Sequence, residues 1–268
     1  MSSHLQNPVV RLRRRLAAGE IAIGAVVMMN SPEMAAHLAS QGFDFLWFEM
    51  EHGSITREGL RNMILATRGL DITPISRPPV NELWTAKVAL DQGSLGIIFP
   101  FTSTPHLARQ AVDACKYPPN GLRGSGAYLS QLRWPPAKEY YDFADQNILV
   151  VAMVEDQAGL ENIEAIAATP GLDVIFIGTS DLSFSLGFRG DQTEPKLAEA
   201  VAHIVTVAKR HGKVVGRPAG TAEEIEKYRQ QGFQFFMTAT ELELVTAGAA
   251  KLLGPLGRHT SAGPVTPV

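Results

Sequence analysis

The chain has 268 residues, with 24 Lys+Arg against 27 Asp+Glu and a formal charge of −3, which excludes a general nucleic-acid-binding coat. With 45% hydrophobic and 19% charged residues it carries enough apolar material for a core and too little charge for a disordered polyelectrolyte. The single cysteine, Cys115, permits no internal disulfide and no thiolate zinc site, so a reducing cytoplasm is the expected compartment, and no apolar run approaches the roughly 18 residues of a membrane span.

The basic segment RLRRRLAAGE reads as a short helix feeding a first strand rather than as a signal peptide, because Gly19 and Glu20 interrupt the junction and no A-x-A site follows. Eight short apolar runs then recur: 21–27, 43–48, 72–76, 95–99, 148–154, 172–177, 213–216 and 233–238. Their near-continuous hydrophobicity suits parallel strands covered on both faces. Segments of helical spacing lie between them at 32–41, 57–68, 82–92, 105–115, 158–168, 196–211 and 222–231. Several open on caps such as Ser31-Pro32 and Thr104-Pro105, and several stop at Gly42, Gly93, Gly212 and Gly232. Eight strand–helix repeats in a chain of this size predict a single-domain α/β protein, a (β/α)8 TIM barrel spanning 1–253, in preference to an open doubly wound sheet. Residues 116–147, rich in Pro, Gly and aromatics, break the alternation, and a connection that long is expected to serve function or assembly. The last residues, 254–268, have no periodic apolar face and read as a flexible tail.

In a barrel, chemistry collects where strands end. Glu49, Glu51 and His52 follow the second run, Arg77 the third, Glu155 the fifth, and Ser180 with Asp181 the sixth. Neighbouring fifth and sixth strands would bring Glu155 and Asp181 together, and two oxygen ligands completed by water and substrate suit Mg2+ or Mn2+. Singly, each residue has a plainer reading: Asp181 as a helix cap, Glu155 as a first-turn glutamate, His52 as a structural histidine, Arg77 as a partner for Glu49 or Glu51. Their joint occurrence at four strand ends favours a site. No phosphate loop, H-E-x-x-H or G-x-S-x-G motif is present, and no lysine closes a strand, which disfavours an imine-forming aldolase.

The segments FDFLWFEMEHG, ISRPPVNE, KYPPNGLRGSG and VAMVEDQAGLENIEAIAATPGLDVIFIGTSDLSFSLG resemble those of the HpcH/HpaI family of metal-dependent, pyruvate-type class II aldolases, a likeness running from about Leu16 to Leu253. The resemblance implies that Glu155 and Asp181 ligate a divalent ion (Mg2+, Mn2+ or Co2+), that Arg77 grips the oxo-acid and its enolate oxygen, and that His52 is the base, oriented by Glu49. It implies further that Gly178, Thr179, Ser180 and Asp181 receive the substrate carboxylate, with Arg123 of the Y-P-P-x-G-x-R-G segment among the substrate-binding residues. Two positions depart from the family pattern: Glu49 replaces its usual Asp, and Met153 a common Gln. The implied reaction is reversible cleavage of a 4-hydroxy-2-oxo acid into pyruvate, or a related 2-oxo acid, and an aldehyde. Alternatives are a lyase, decarboxylase or condensing enzyme using oxaloacetate or a CoA ester, and a non-catalytic oxo-acid-binding barrel. The resemblance also implies a homo-oligomer, a hexamer, in which the helix at 240–253 is exchanged between subunits.

Overall fold

A computed structural model describes residues 7–134 and 139–258. Eight parallel strands close in sequence order into a barrel: β1 (Ala22–Val27), β2 (Phe45–Glu49), β3 (Thr73–Arg77), β4 (Gly96–Phe99), β5 (Leu149–Val154), β6 (Val174–Ile177), β7 (Val214–Pro218) and β8 (Phe235–Thr240), with β1 paired to β8. The expected barrel is thus the observed one, with every strand inside or within two residues of its predicted run.

Strand alternation sorts the side chains. Phe45, Trp47, Ile75, Ile98, Val151, Met153, Val174, Phe176 and Phe235 fill the barrel interior, whereas Leu46, Phe48, Ile97, Val150, Ala152, Ile175 and Phe236 point outward beneath the helices. Leu12 and Leu16 of α1 (Pro8–Ala17) join the interior cluster and plug the amino-terminal end. Arg11 pairs with Asp71, and Arg13 with Asp173 at 2.6 Å, which fastens that plug. The basic segment therefore closes the barrel floor.

Outer helices follow the predicted order: α2 (Pro32–Ala39), α3 (Arg57–Ala66), α4 (Leu83–Gln92) and α5 (Pro105–Cys115). Ser31, Thr56 and Thr104 cap three of them through side-chain oxygens that accept from Met34, Gly59 and Leu107 amides. The connection 116–147 contains two helices that its Pro and Gly content concealed, α6 (Tyr128–Arg133) and α7 (Tyr140–Asn147). It packs back on the barrel wall: Arg133 donates to Ile64 O at 3.0 Å and Trp134 Nε1 to Gly93 O at 2.8 Å. The predicted helix 158–168 is instead two short helices, α8 (Gln157–Glu161) and α9 (Ile163–Ala167), broken at Asn162, whose amide donates to Ser103 O at 3.1 Å. Then come α10 (Thr179–Ser185), α11 (Pro195–Arg210), α12 (Ala222–Gln230) and α13 (Glu241–Leu253). Of the expected tail, Gly254–Leu256 forms a 3-10 turn, and 259–268 lie outside the described residues.

Gly24, on β1, has no room for a side chain. An ideal Cβ at Gly24 would sit 2.0 Å from the Phe45 ring, which stacks on Phe235 with centroids 4.2 Å apart. Gly24→Ala must displace that stack, and chemical denaturation should show a loss of about 1–3 kcal/mol, the usual cost of overpacking. An unchanged denaturation midpoint would show that the stack yields freely.

Candidate active site

The strand-end residues converge at the carboxyl-terminal mouth. A cavity of about 210 Å3 is walled by Arg77 from β3, Met153 and Glu155 from β5 and its end, Gly178, Thr179, Ser180 and Asp181 after β6, and Arg217 from β7. His52 stands beside it in a small recess shared with Glu49, Arg77 and Met237, so Arg77 forms a wall common to both spaces.

Arg77 and Glu49 are buried and paired, with Nε donating to Glu49 Oε2 at 2.5 Å while Glu51 Oε2 lies 3.2 Å from the same nitrogen. The guanidinium also lies over Trp47, 5.4 Å from its ring centroid, and its Nη1 faces Met153 Sδ at 3.6 Å. Because the pairing uses Nε, the fork's Nη2 makes no protein hydrogen bond among the described residues. Met153 thus meets Arg77 with sulfur where the family's common Gln would bring an amide.

Glu49 does not orient the His52 ring. Its Oε1 accepts from the backbone N–H groups of Glu51 at 2.7 Å and His52 at 3.0 Å, and its Oε2 accepts from Trp47 Nε1 at 3.0 Å as well as from Arg77. The Glu49 carboxylate is taken up by the guanidinium, the indole and two backbone amides, and the strand register sets it beside Arg77. Glu51 is the carboxylate that faces the ring, 3.8 Å from Nε2, and burial raises its pKa against the pull of Arg77 and His52.

Glu155 is 1% exposed, and its Oε1 accepts from the Phe101 amide at 2.7 Å. Phe101 holds the left-handed φ of 44° in order to present that amide, a strained backbone placed against a candidate functional group. Gly178 makes the second allowance, since a Cβ there would lie 2.6 Å from Glu155 Oε2. Burial pushes the Glu155 carboxyl up to about 7, assisted by the Asp181 and Glu51 charges and opposed by the Phe101 amide and Arg77.

Asp181 lies in the first turn of α10, and its side chain forms no ion pair among the described residues. Two carboxylates on one cavity, one of them buried without a cation of its own, fit a hard divalent ion. Among the described residues no three His, Cys, Asp or Glu side chains converge as a metal cluster, so water or substrate must complete the coordination shell.

Arg123 does not line this cavity. Its guanidinium is buried over Tyr117, 4.7 Å from the ring centroid, and pairs with Asp91 at 3.2 Å, because the connection carrying it folds against the outside of the barrel. Arg217 also lines the cavity; the seventh apolar run stops at Gly216, whereas β7 continues to Pro218 and carries this arginine to the strand end.

The HpcH/HpaI aldolase/citrate lyase family matches residues 23–247, and the chain belongs to that family of carbon–carbon lyases. It is 33% identical over 237 residues to the 5-keto-4-deoxy-D-glucarate aldolase of Salmonella arizonae, covering 88% of this chain and 93% of the relative. The Klebsiella pneumoniae enzyme of the same name is 32% identical over 242 residues, covering 90% and 94%. Among solved structures, an HpcH/HpaI aldolase/citrate lyase family protein from Burkholderia cenocepacia matches with a TM-score of 0.85 at 29% identity, covering 94% of this chain and 100% of that one. The citrate synthase SbnG matches with a TM-score of 0.82 at 30% identity, covering 92% and 97%.

The raised Glu155 pKa has a consequence for stability. Burial favours the protonated acid in the folded chain, so this contribution is fully present below pH 4.5 and is lost as pH rises through about 7, a change of about 3 kcal/mol. Metal-free protein should therefore lose stability across that window relative to Glu155→Gln, as measured by urea denaturation at several pH values. Parallel profiles for the two proteins would contradict the assignment.

Proposed function

We propose that this protein is a divalent-metal-dependent aldolase that reversibly cleaves a 4-hydroxy-2-oxo acid into pyruvate, or a related 2-oxo acid, and an aldehyde. The observation that carries this reading is the convergence of Glu155, Asp181 and Arg77 on one cavity at the barrel mouth. The 5-keto-4-deoxy-D-glucarate aldolase activity named for the relatives supports it.

Glu155 and Asp181 would hold the ion, Mg2+, Mn2+ or Co2+. Bound there, it would supply the positive charge that stabilises an enolate developing from the 2-oxo acid. The Arg77 guanidinium, held by Glu49 through Nε, directs its remaining nitrogen to the oxo-acid and adds charge where the enolate oxygen forms. The free first-turn amides of α10, from Thr179 to Asp181, receive the substrate carboxylate. In cleavage His52 takes the proton of the 4-hydroxyl group, and in condensation it returns that proton; Glu51 Oε2 stands 3.8 Å from its Nε2. The order of events is binding of the oxo-acid on Arg77 and α10, removal of the hydroxyl proton by His52 with cleavage of the C3–C4 bond, departure of the aldehyde, and protonation of the remaining enolate at C3 by a solvent-derived proton to give the 2-oxo acid.

The likeness to SbnG supports a second reading, condensation of oxaloacetate with a CoA ester in the same cavity. Product analysis with oxaloacetate and acetyl-CoA, beside pyruvate with aldehydes, separates the two.

The oligomer belongs to the same proposal. Helix α13 buries only Glu241, whose carboxylate accepts from Met28 and Met29 amides, and exposes Leu242, Leu244, Val245 and Leu252. An apolar face of that kind suits exchange with a neighbouring barrel in a hexamer. Light scattering should show a multimer, dispersed by Val245→Asp with Leu252→Asp; a wild-type monomer at micromolar concentration would remove this part.

Chelation should abolish aldol cleavage, and Mg2+, Mn2+ or Co2+ should restore it. Exchange of pyruvate C3 protons into D2O, followed by NMR, separates the roles further. Glu155→Ala should lose exchange and cleavage together, each by roughly 100-fold or more, whereas His52→Ala should lose cleavage by about 100-fold and exchange by much less. Equal losses for His52→Ala would refute its assignment to the hydroxyl proton. Cleavage that survives exhaustive chelation would refute the metal-dependent reading.

A further inference from the structure

Of the residues walling the catalytic cavity, only Arg77 and Arg217 are cationic, and they stand on different strands, β3 and β7. Arg77 is already met by Glu49 and Glu51. Arg217 is met by no carboxylate within 4.0 Å among the described residues. Its Nε donates to the neighbouring Pro218 O at 3.3 Å, and the Tyr228 hydroxyl is the side-chain hydrogen-bonding partner beside the fork, so no carboxylate occupies it. The guanidinium is stacked on Tyr228, 3.5 Å from the ring centroid, and lies 5.4 Å from that of Phe233. Glu224 on the facing helix also walls the cavity; it accepts from the Gly220 amide at 2.7 Å and acts on the Arg217 charge from beyond ion-pair distance.

This combination is costly for a purely packing residue. A partly buried cation with no acid in direct contact loses hydration, and burial here works against its charge. The aromatic stack removes the side chain's freedom in advance and presents the planar edge of the fork, the geometry that takes a carboxylate in two parallel hydrogen bonds. Arg77, Glu155, Asp181 and the first turn of α10 account for the 2-oxo acid on the β3, β5 and β6 sides of the cavity. The β7 wall is then left for the other reactant.

We propose that Arg217 is the specificity-determining residue for the second substrate, holding the carboxylate of an acidic aldehyde. The inference rests on the aldolase reading above and adds to it the chemistry of the partner and the residue that selects it. In the cleavage direction the same contact holds the distal carboxylate of the oxo-acid substrate. Gln192 flanks this end of the cavity, with its Nε2 donating to Thr179 O at 3.3 Å and to Gly190 O at 3.2 Å, and so helps to shape the pocket around the anion.

The test compares kcat/KM for condensation of pyruvate with glyoxylate and succinic semialdehyde against their neutral counterparts, acetaldehyde and butanal. Wild type should prefer the acids. Arg217→Met should lower the acid-to-neutral ratio by roughly 10- to 100-fold, the worth of a charge-assisted hydrogen-bonded pair, and Arg217→Lys should recover part of it. An unchanged ratio in Arg217→Met, or equal losses for acid and neutral aldehydes, overturns the proposal. Circular dichroism melts check folding, and Arg217→Gln carries the same comparison if the methionine variant is unstable. A second readout needs no turnover: calorimetric titration with succinate, whose affinity should fall about 10-fold or more in Arg217→Met. If wild type fails to exchange pyruvate C3 protons yet succinate affinity still falls in the variant, the aldolase reading fails and the anion site stands. Equal succinate affinity in both proteins overturns the site itself.

Discussion

The ion pair between Arg77 Nε and Glu49 Oε2, 2.5 Å long and almost wholly buried, decides how charge is distributed at the barrel mouth. A buried guanidinium needs an anion, and Glu49 at the end of the adjacent strand supplies it. The register of β2 on β3 sets Glu49 directly beside Arg77, so the pairing is built into the sheet. So engaged, Arg77 acts on Glu155 only at a distance and forms no ion pair with Glu155 or Asp181 among the described residues. These two remain as a pair of carboxylates in a poorly solvated space, and that imbalance is what a divalent cation would relieve. The departure from the family's usual Asp has its physical role here: one more methylene carries the Glu49 carboxylate to Arg77, and the His52 ring is left to Glu51.

The interior of the barrel supports this arrangement by being full. Trp47 lies beneath Arg77 and donates to Glu49, while Phe176 meets Trp47 edge-on with centroids 5.0 Å apart. Aromatic packing below and fixed backbone amides above leave the polar groups little freedom, which suits a site that works by preorganised charge. Gly178 and the strained Phe101 meet the same demand at Glu155: one gives up its side chain and the other its preferred backbone conformation, so that a single carboxylate is held in place.

Strand number, order and polarity were legible in the sequence because parallel barrel strands are buried on both faces and read as uninterrupted apolar runs. The strand-end rule likewise found Arg77, Glu155 and Asp181, which the fold brings to one cavity. It failed where a side chain's target is set by three-dimensional reach. Nothing in FEMEHG says that Glu49 bonds Arg77 while Glu51 faces the imidazole. Arg123 stands in a motif that resembles a signature, yet its connection packs on the outer wall and turns the side chain toward Asp91 and Tyr117. Helices α6 and α7 were hidden because tertiary contacts, such as Trp134 to the Gly93 carbonyl, stabilise turns whose local composition argues for loop. Arg217 is hidden because the apolar pattern ends at Gly216 while the strand's backbone pairing extends to Pro218, so a charged side chain continues a strand that hydrophobicity no longer marks.

The most direct measurement is of the ion itself. Titration of the metal-free protein with Mn2+, followed by electron paramagnetic resonance, counts bound ions without requiring turnover. One ion per chain is expected for wild type, with binding lost over the same concentration range in Glu155→Gln and in Asp181→Asn and retained in Arg77→Lys. Undiminished binding of one Mn2+ in the Glu155→Gln, Asp181→Asn double variant would contradict the placement of the cation, and with it the charge imbalance on which the site depends.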